Sequence, residues 1–326
     1  MNSMELFINP QTKRLRSGWR AAVFAALLFS PRLLLDLFLP ARQAGAAAVF
    51  DLSVEMILAY VALIVWALGV SGVCLRFLEG MKLPALGFAL HSGWPGDVIK
   101  GCAMGALMIA SVVALQIIGG GARLNFNSVW WKGQGIDWAG VWTVAPEVCA
   151  ALVLFILAGA FEELVYRGYA FQTLLRGAPA FLPILFFSIL FGAAHWGNPS
   201  RTFFSTANTI LAGIWLSMAY LKTRSLWFPA ALHTSWNWTM GALFGLPVSG
   251  LRVPQHPVLA STGGEPVWLT GGSYGSEGGA AAAIVLIIAI AVIWRAKWLS
   301  VSPEMNAALS MRITGSESSI NLGLRD

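Results

Sequence analysis

Charge is scarce in this chain: only 11% of its 326 residues are Asp, Glu, Lys or Arg, against about 25% in soluble globular domains. With 57% hydrophobic residues and a mean hydropathy of +0.69, water is not its main solvent. Cysteine is nearly absent as well. Cys74, Cys102 and Cys149 lie in three separate apolar stretches without CxxC spacing, which argues against a disulfide framework or a thiolate metal site and leaves them as small core residues. A basic stripe is also missing. The formal charge of +6 is spread thinly among apolar runs, so it marks orientation in a bilayer and offers no footprint for nucleic acid. Lys13, Arg14, Arg16 and Arg20 precede the first apolar stretch as in a signal peptide, yet that stretch carries Arg32 and Asp36 and lacks a small-residue cleavage site. It is expected to persist as a first helix.

Long apolar windows dominate what is there. They fall near 19–39, 52–77, 98–119, 146–170, 180–197, 203–221, 226–246 and 279–299, each close to the ~20 residues that cross a ~30 Å hydrocarbon core. The pattern predicts an all-α polytopic membrane protein of about eight transmembrane helices. Outside the first helix, one side of the bilayer would hold only Arg42, Arg123, Lys132, Arg201 and Arg252, and every other Lys and Arg would fall on the opposite side. By the positive-inside rule both termini are cytoplasmic, here in a cell (inner) membrane.

The predicted organisation is a cytoplasmic segment 1–18, helices and an external Trp-rich loop within 19–145, a core over 146–246, an external Gly/Pro-rich loop 247–278, a last helix 279–299, and a polar, disordered cytoplasmic tail 300–326. Trp130, Trp131, Trp138 and Trp142 in the first long loop are expected at the headgroup level. No internal repeat is visible, which counts against transporters built from duplicated halves.

Ionisable residues inside apolar helices are costly, roughly 2.5 kcal/mol or more each at the bilayer centre, and so mark function. The fourth window holds Phe161-Glu162-Glu163-Leu164-Val165-Tyr166-Arg167. Glu163 and Arg167 are spaced i, i+4 and can pair, whereas Glu162 is rotated by about 100° and stays available as a general base. Alone, this is also what a packing ion pair looks like. Two further windows weigh against that reading, with Phe191 one turn before His195 and His233 one turn before Asn237. Measured from a shared turn near Gly177 and Pro179, Glu162 and His195 lie at matched depth, ~24 Å along their helices. His233, measured from Arg224, lies shallower at ~14 Å.

The ordered set Glu162-Glu163-x-x-x-Arg167, Phe191-x-x-x-His195 and His233-x-x-x-Asn237 resembles the three motifs of the CAAX protease and bacteriocin-processing (CPBP, or Abi) family, which includes the type II CAAX prenyl proteases. The resemblance covers roughly residues 146–246. It implies a conical helical core around a membrane-embedded catalytic cavity and an intramembrane endopeptidase acting on a peptide or membrane-anchored protein. Glu162, helped by His195, would activate water. His233 and Asn237 would stabilise the oxyanion, and Glu163 and Arg167 would hold Glu162 in place. A divalent metal such as zinc on Glu162, His195 and His233 is the alternative. The HExxH zinc signature is absent, as are a GxSG serine, a GxGD aspartate within an apolar helix and the Glu-x-x-His pairs of di-iron bundles. From other classes, a proton- or ion-coupled transporter could use the carboxylates and histidines as a relay, though a relay gains little from Asn237. A non-proteolytic immunity or scaffold protein could retain the same motifs.

Overall fold

Without water to satisfy them, backbone N–H and C=O groups in a long apolar segment must pair within the segment, which makes a helix. The computed structural model describes residues 3–38, 52–133 and 135–310 and is mostly helical. Its helices are α1 (Ser17–Phe38), α2 (Val54–Cys74), α3 (Trp94–Ile118), α4 (Trp138–Tyr166), α5 (Tyr169–Leu175), α6 (Phe181–Ala194), α7 (Phe203–Thr223), α8 (Trp227–Trp238), α9 (Val267–Thr270), α10 (Ala280–Arg295) and α11 (Pro303–Ser310). Every predicted window holds a helix. Side-chain caps set two of the starts: Ser53 accepts from the Met56 N–H before α2, and Thr202 and Ser205 form a reciprocal box before α7.

By length and composition, three segments among the described residues can cross a membrane: Val54–Glu79, Trp94–Ile118 and Trp138–Leu175. Phe181–Gly197 and Ala280–Arg295 are shorter apolar helices. Fewer segments qualify than the eight windows because α6, α8 and α10 span only 14, 12 and 16 residues, and because α7 carries buried polar residues, including Ser205, Asn208 and Thr209. Those side chains face other helices and not lipid, and they lower the apolar character of the segment that holds them.

Three boundaries differ from expectation. α4 starts at Trp138, so Trp138 and Trp142 project from a helix and are 62% and 76% exposed. The two long connections are joined, because strand Ala122–Phe126 pairs antiparallel with Leu259–Gly263 in the register Ala122↔Gly263 to Phe126↔Leu259. Of the tail expected to be disordered from residue 300, the part through 310 ends in α11; residues 311–326, and the connection 39–51 with Arg42, lie outside the described residues.

Buried residues form two clusters. One joins α3, α7, α8 and α10 through Ile109, Val112, Trp215, Leu232 and Ala282, and the other joins α1, α2 and α5 through Phe24, Ala67, Tyr169 and Phe171. α8 packs closely against α3. A Cβ at Gly101 would come within 2.7 Å of the Phe228 carbonyl oxygen, and one at Gly105 within 2.6 Å of that of Leu232. Only glycine permits this approach, and it fixes the helix that carries His233 and Asn237.

Candidate active site

Glu162 and Glu163 occupy the last turn of α4, which ends where Arg167 leaves helical geometry and Gly168 turns the chain. A side chain at Gly168 would strike the carbonyl oxygen of Leu164. The adjacent carboxylates meet different surroundings. Glu163 is fully buried, and its Oε1 accepts from Arg167 Nη1 at 3.0 Å and from His233 Nδ1 at 3.1 Å. Arg167, also fully buried, donates from Nη2 to the Gly213 carbonyl at 3.0 Å and lays its guanidinium 4.8 Å from the Phe191 ring centre. Glu162 keeps 25% of its side chain exposed, and its Oε2 makes no hydrogen bond to the protein.

The structure engages His233 Nδ1 with Glu163 and leaves Nε2 toward the cavity side of Glu162. A carboxylate paired with arginine only accepts, so Nδ1 carries a proton and Nε2 is the nitrogen 3.9 Å from Glu162 Oε2. His195 follows the last residue of α6, and its Nδ1–H donates to the Phe191 carbonyl at 2.8 Å. That bond satisfies a helix-end carbonyl and fixes the tautomer, leaving Nε2 unprotonated in the neutral ring. The Phe191 ring touches His195 (4.7 Å between centres) and stands edge-on to His233 (6.0 Å).

The expected depths are corrected by the break at Gly168. With α4 ending at Tyr166, Glu162 is ~6 Å from its helix end and not ~24 Å, and His233 is ~9 Å from the start of α8. The two side chains meet, with His233 Nε2 3.9 Å from Glu162 Oε2. His195 lines the same cavity.

The side chains of α8 account for one another. His233 bonds Glu163, Thr234 bonds the Phe155 carbonyl on α4 (3.3 Å), Ser235 the Cys102 carbonyl on α3 (2.7 Å), and Trp236 the Glu277 carboxylate (2.9 Å). Asn237 is the exception, with no hydrogen bond to described residues although it lines the cavity.

That cavity has a volume of about 930 Å³, within the ordinary range of small-molecule and peptide sites. Leu28, Phe29, Leu63 and Trp66 of α1 and α2 give it an apolar flank, and Glu162, His195, His233 and Asn237 a polar one. Three lining residues escaped the sequence reading. Tyr60 of α2 stands edge-on to Phe161 at 6.1 Å between ring centres, Asn208 of α7 donates to the carbonyls of Glu277 and Gly279, and Glu277 lies before α10. Isolation hid them: none has a charged or imidazole partner three or four residues away. Burial pushes the nearby Tyr274 phenol up, and the charge of Glu277 adds to the shift.

A metal held by Glu162, His195 and His233 would need three ligands converging on one point. Among the described residues no three His, Cys, Asp or Glu side chains gather as a ligand set, and the Glu163 bond fixes the His233 ring. These residues do not fit a three-ligand zinc site.

Residues 144–239 match the family model described as type II CAAX prenyl endopeptidase Rce1-like, a family of proteases. The matched stretch holds Glu162, Glu163, Arg167, His195, His233 and Asn237 and leaves out Tyr60 and Glu277. It is the family that the three motifs resemble. No curated protein and no solved structure matches the chain.

Proposed function

We propose that the chain is an intramembrane endopeptidase that cleaves a peptide or membrane-anchored protein with water activated by Glu162. One observation carries this reading: of two adjacent carboxylates, Glu163 is fully buried and held by Arg167 and His233, while Glu162 keeps 25% of its side chain exposed, lines the cavity and makes no hydrogen bond through Oε2.

In the proposed step, water loses a proton to Glu162 as its oxygen bonds to the scissile carbonyl carbon. His195 Nε2 accepts the water's second hydrogen and orients the attack. Asn237 donates to the oxyanion, joined by His233 when it carries protons on both nitrogens, with Nδ1–H remaining on Glu163. Collapse of the tetrahedral intermediate breaks the C–N bond, and the proton on Glu162 passes to the leaving nitrogen. Glu163 and Arg167 touch no reacting atom and act by holding His233 and the end of α4. Eight helices in a conical bundle, with both termini cytoplasmic, form the arrangement we favour around this site.

The reading is tested by comparing protein termini in membranes from cells that make the wild type or Glu162→Ala at equal abundance. New termini should appear only with the wild type. Identical termini in both would remove Glu162 from the chemistry.

A further inference from the structure

The second carboxylate of the cavity has no part in the proposed hydrolysis. Glu277 lines the wall where α7, α8 and the segment before α10 meet, and three neutral donors hold it: Trp236 Nε1–H on Oε1 at 2.9 Å, and the Ser249 N–H and hydroxyl on Oε2 at 2.7 and 2.8 Å. A carboxylate accepts at about four lone-pair positions, so Oε1 retains capacity for another donor. Among the described residues no Lys, Arg or His lies within ion-pair distance of Glu277, so its charge is not neutralised within the protein. This differs from Glu79, which is buried and meets Arg20 at 2.5 Å and Arg176 at 3.3 Å.

A second, independent observation lies in the same wall. Trp215 of α7 is 1% exposed, its ring centre is 5.4 Å from that of Trp236, and its Nε1–H has no acceptor among the described residues. A buried donor left alone is costly, about 1–3 kcal/mol, and a ligand acceptor would relieve it. The wall therefore lacks one cation and one acceptor. A basic amino acid residue within a peptide supplies both, and its cation can also lie against the indole faces.

We infer that Trp215, Trp236 and Glu277 form a subsite for a Lys or Arg residue of the bound chain, its cationic group on Glu277 and a backbone carbonyl on Trp215 Nε1–H. The inference deepens the peptidase reading and rests on it for the nature of the ligand. Trp236 and Glu277 line the same cavity as Asn237 and Glu162, so the basic residue would occupy the cavity that holds the proposed oxyanion donor.

The test uses the full-length protein in a neutral detergent. Its probes are dansyl-labelled, dodecanoyl-capped hexa-alanine peptides in which one position at a time carries Lys or its neutral analogue norleucine. At one or two positions Lys should bind about tenfold tighter than norleucine, as expected for a charge-assisted hydrogen bond. Glu277→Gln should remove most of that advantage and Glu277→Asp should retain part of it. Trp215→Phe should weaken Lys and norleucine peptides alike and leave their ratio unchanged.

Equal affinity of Lys and norleucine peptides for the wild type at every position would overturn the inference, whether or not Glu277→Gln folds. So would a Lys advantage that survives in a folded Glu277→Gln protein. Hydrolysis of the same peptides by the wild type and not by Glu162→Ala reports separately on the peptidase reading. Binding preference without cleavage would sink that reading and keep a cation subsite, and cleavage without preference would do the reverse.

Discussion

Removing either member of the Glu163–Arg167 pair should unfold the protein more readily than removing both would lead one to expect. Both side chains are fully buried, and the pair is closed by one bond of 3.0 Å. Arg167→Met leaves a buried carboxylate with only the His233 ring as donor, and Glu163→Gln leaves a buried guanidinium without its paired counter-charge. Each single change should cost about 3–5 kcal/mol, the usual consequence of orphaning a buried charge. In the double variant neither charge remains, so the total should fall short of the sum by about 1–3 kcal/mol. It should not return to the wild-type value, because Glu163→Gln also exchanges the 3.1 Å charge-assisted bond to His233 for a neutral one, a loss of about 1 kcal/mol or more. Equilibrium denaturation of the four proteins in detergent micelles measures all the terms. Additive single effects would refute the pairing, and a double variant as stable as the wild type would refute the role of Glu163 in holding His233.

Glu162→Ala should leave folding stability unchanged or slightly raised, since Oε2 makes no hydrogen bond, while cleavage falls by about 10²–10⁴; a large loss of stability would show that the residue is structural. Asn237→Ala should lower kcat by about 10²–10³ with little change in KM, and steady-state kinetics on any identified substrate checks the split. Gly105→Ala should destabilise by about 1–3 kcal/mol because the added methyl would press on the α8 backbone; a neutral effect in thermal unfolding would mean the two helices can separate without cost.

The helical windows were legible because long apolar runs leave the backbone little choice. The six motif residues were legible because charge and imidazole stand out against such runs at one-turn spacing. Depth was not. A turn does lie at Gly177 and Pro179, between α5 and α6, but α4 also breaks ten residues earlier, at Arg167 and Gly168. Gly168 was the available signal, and a single glycine in an apolar segment does not by itself announce a break. The partner of His233 was also out of reach, since nothing in a linear spacing says that Glu163 bonds forward to Arg167 and across to α8 at once. Glu277 stood in a Gly-rich connection without neighbours to mark it, and its significance came only when Trp236 and Ser249 closed around it.

Two helices that touch backbone to backbone cannot roll past each other without lifting apart. Because Gly101 and Gly105 bring α3 that close to α8, the wall bearing His233 and Asn237 is stiff. Compliance must reside in α1 and α2, whose apolar side chains line the same cavity. Amide exchange should accordingly be slowest along α8 and faster along α1 and α2, so that the molecule opens like a door on one jamb, with the reacting groups on the post that stays still.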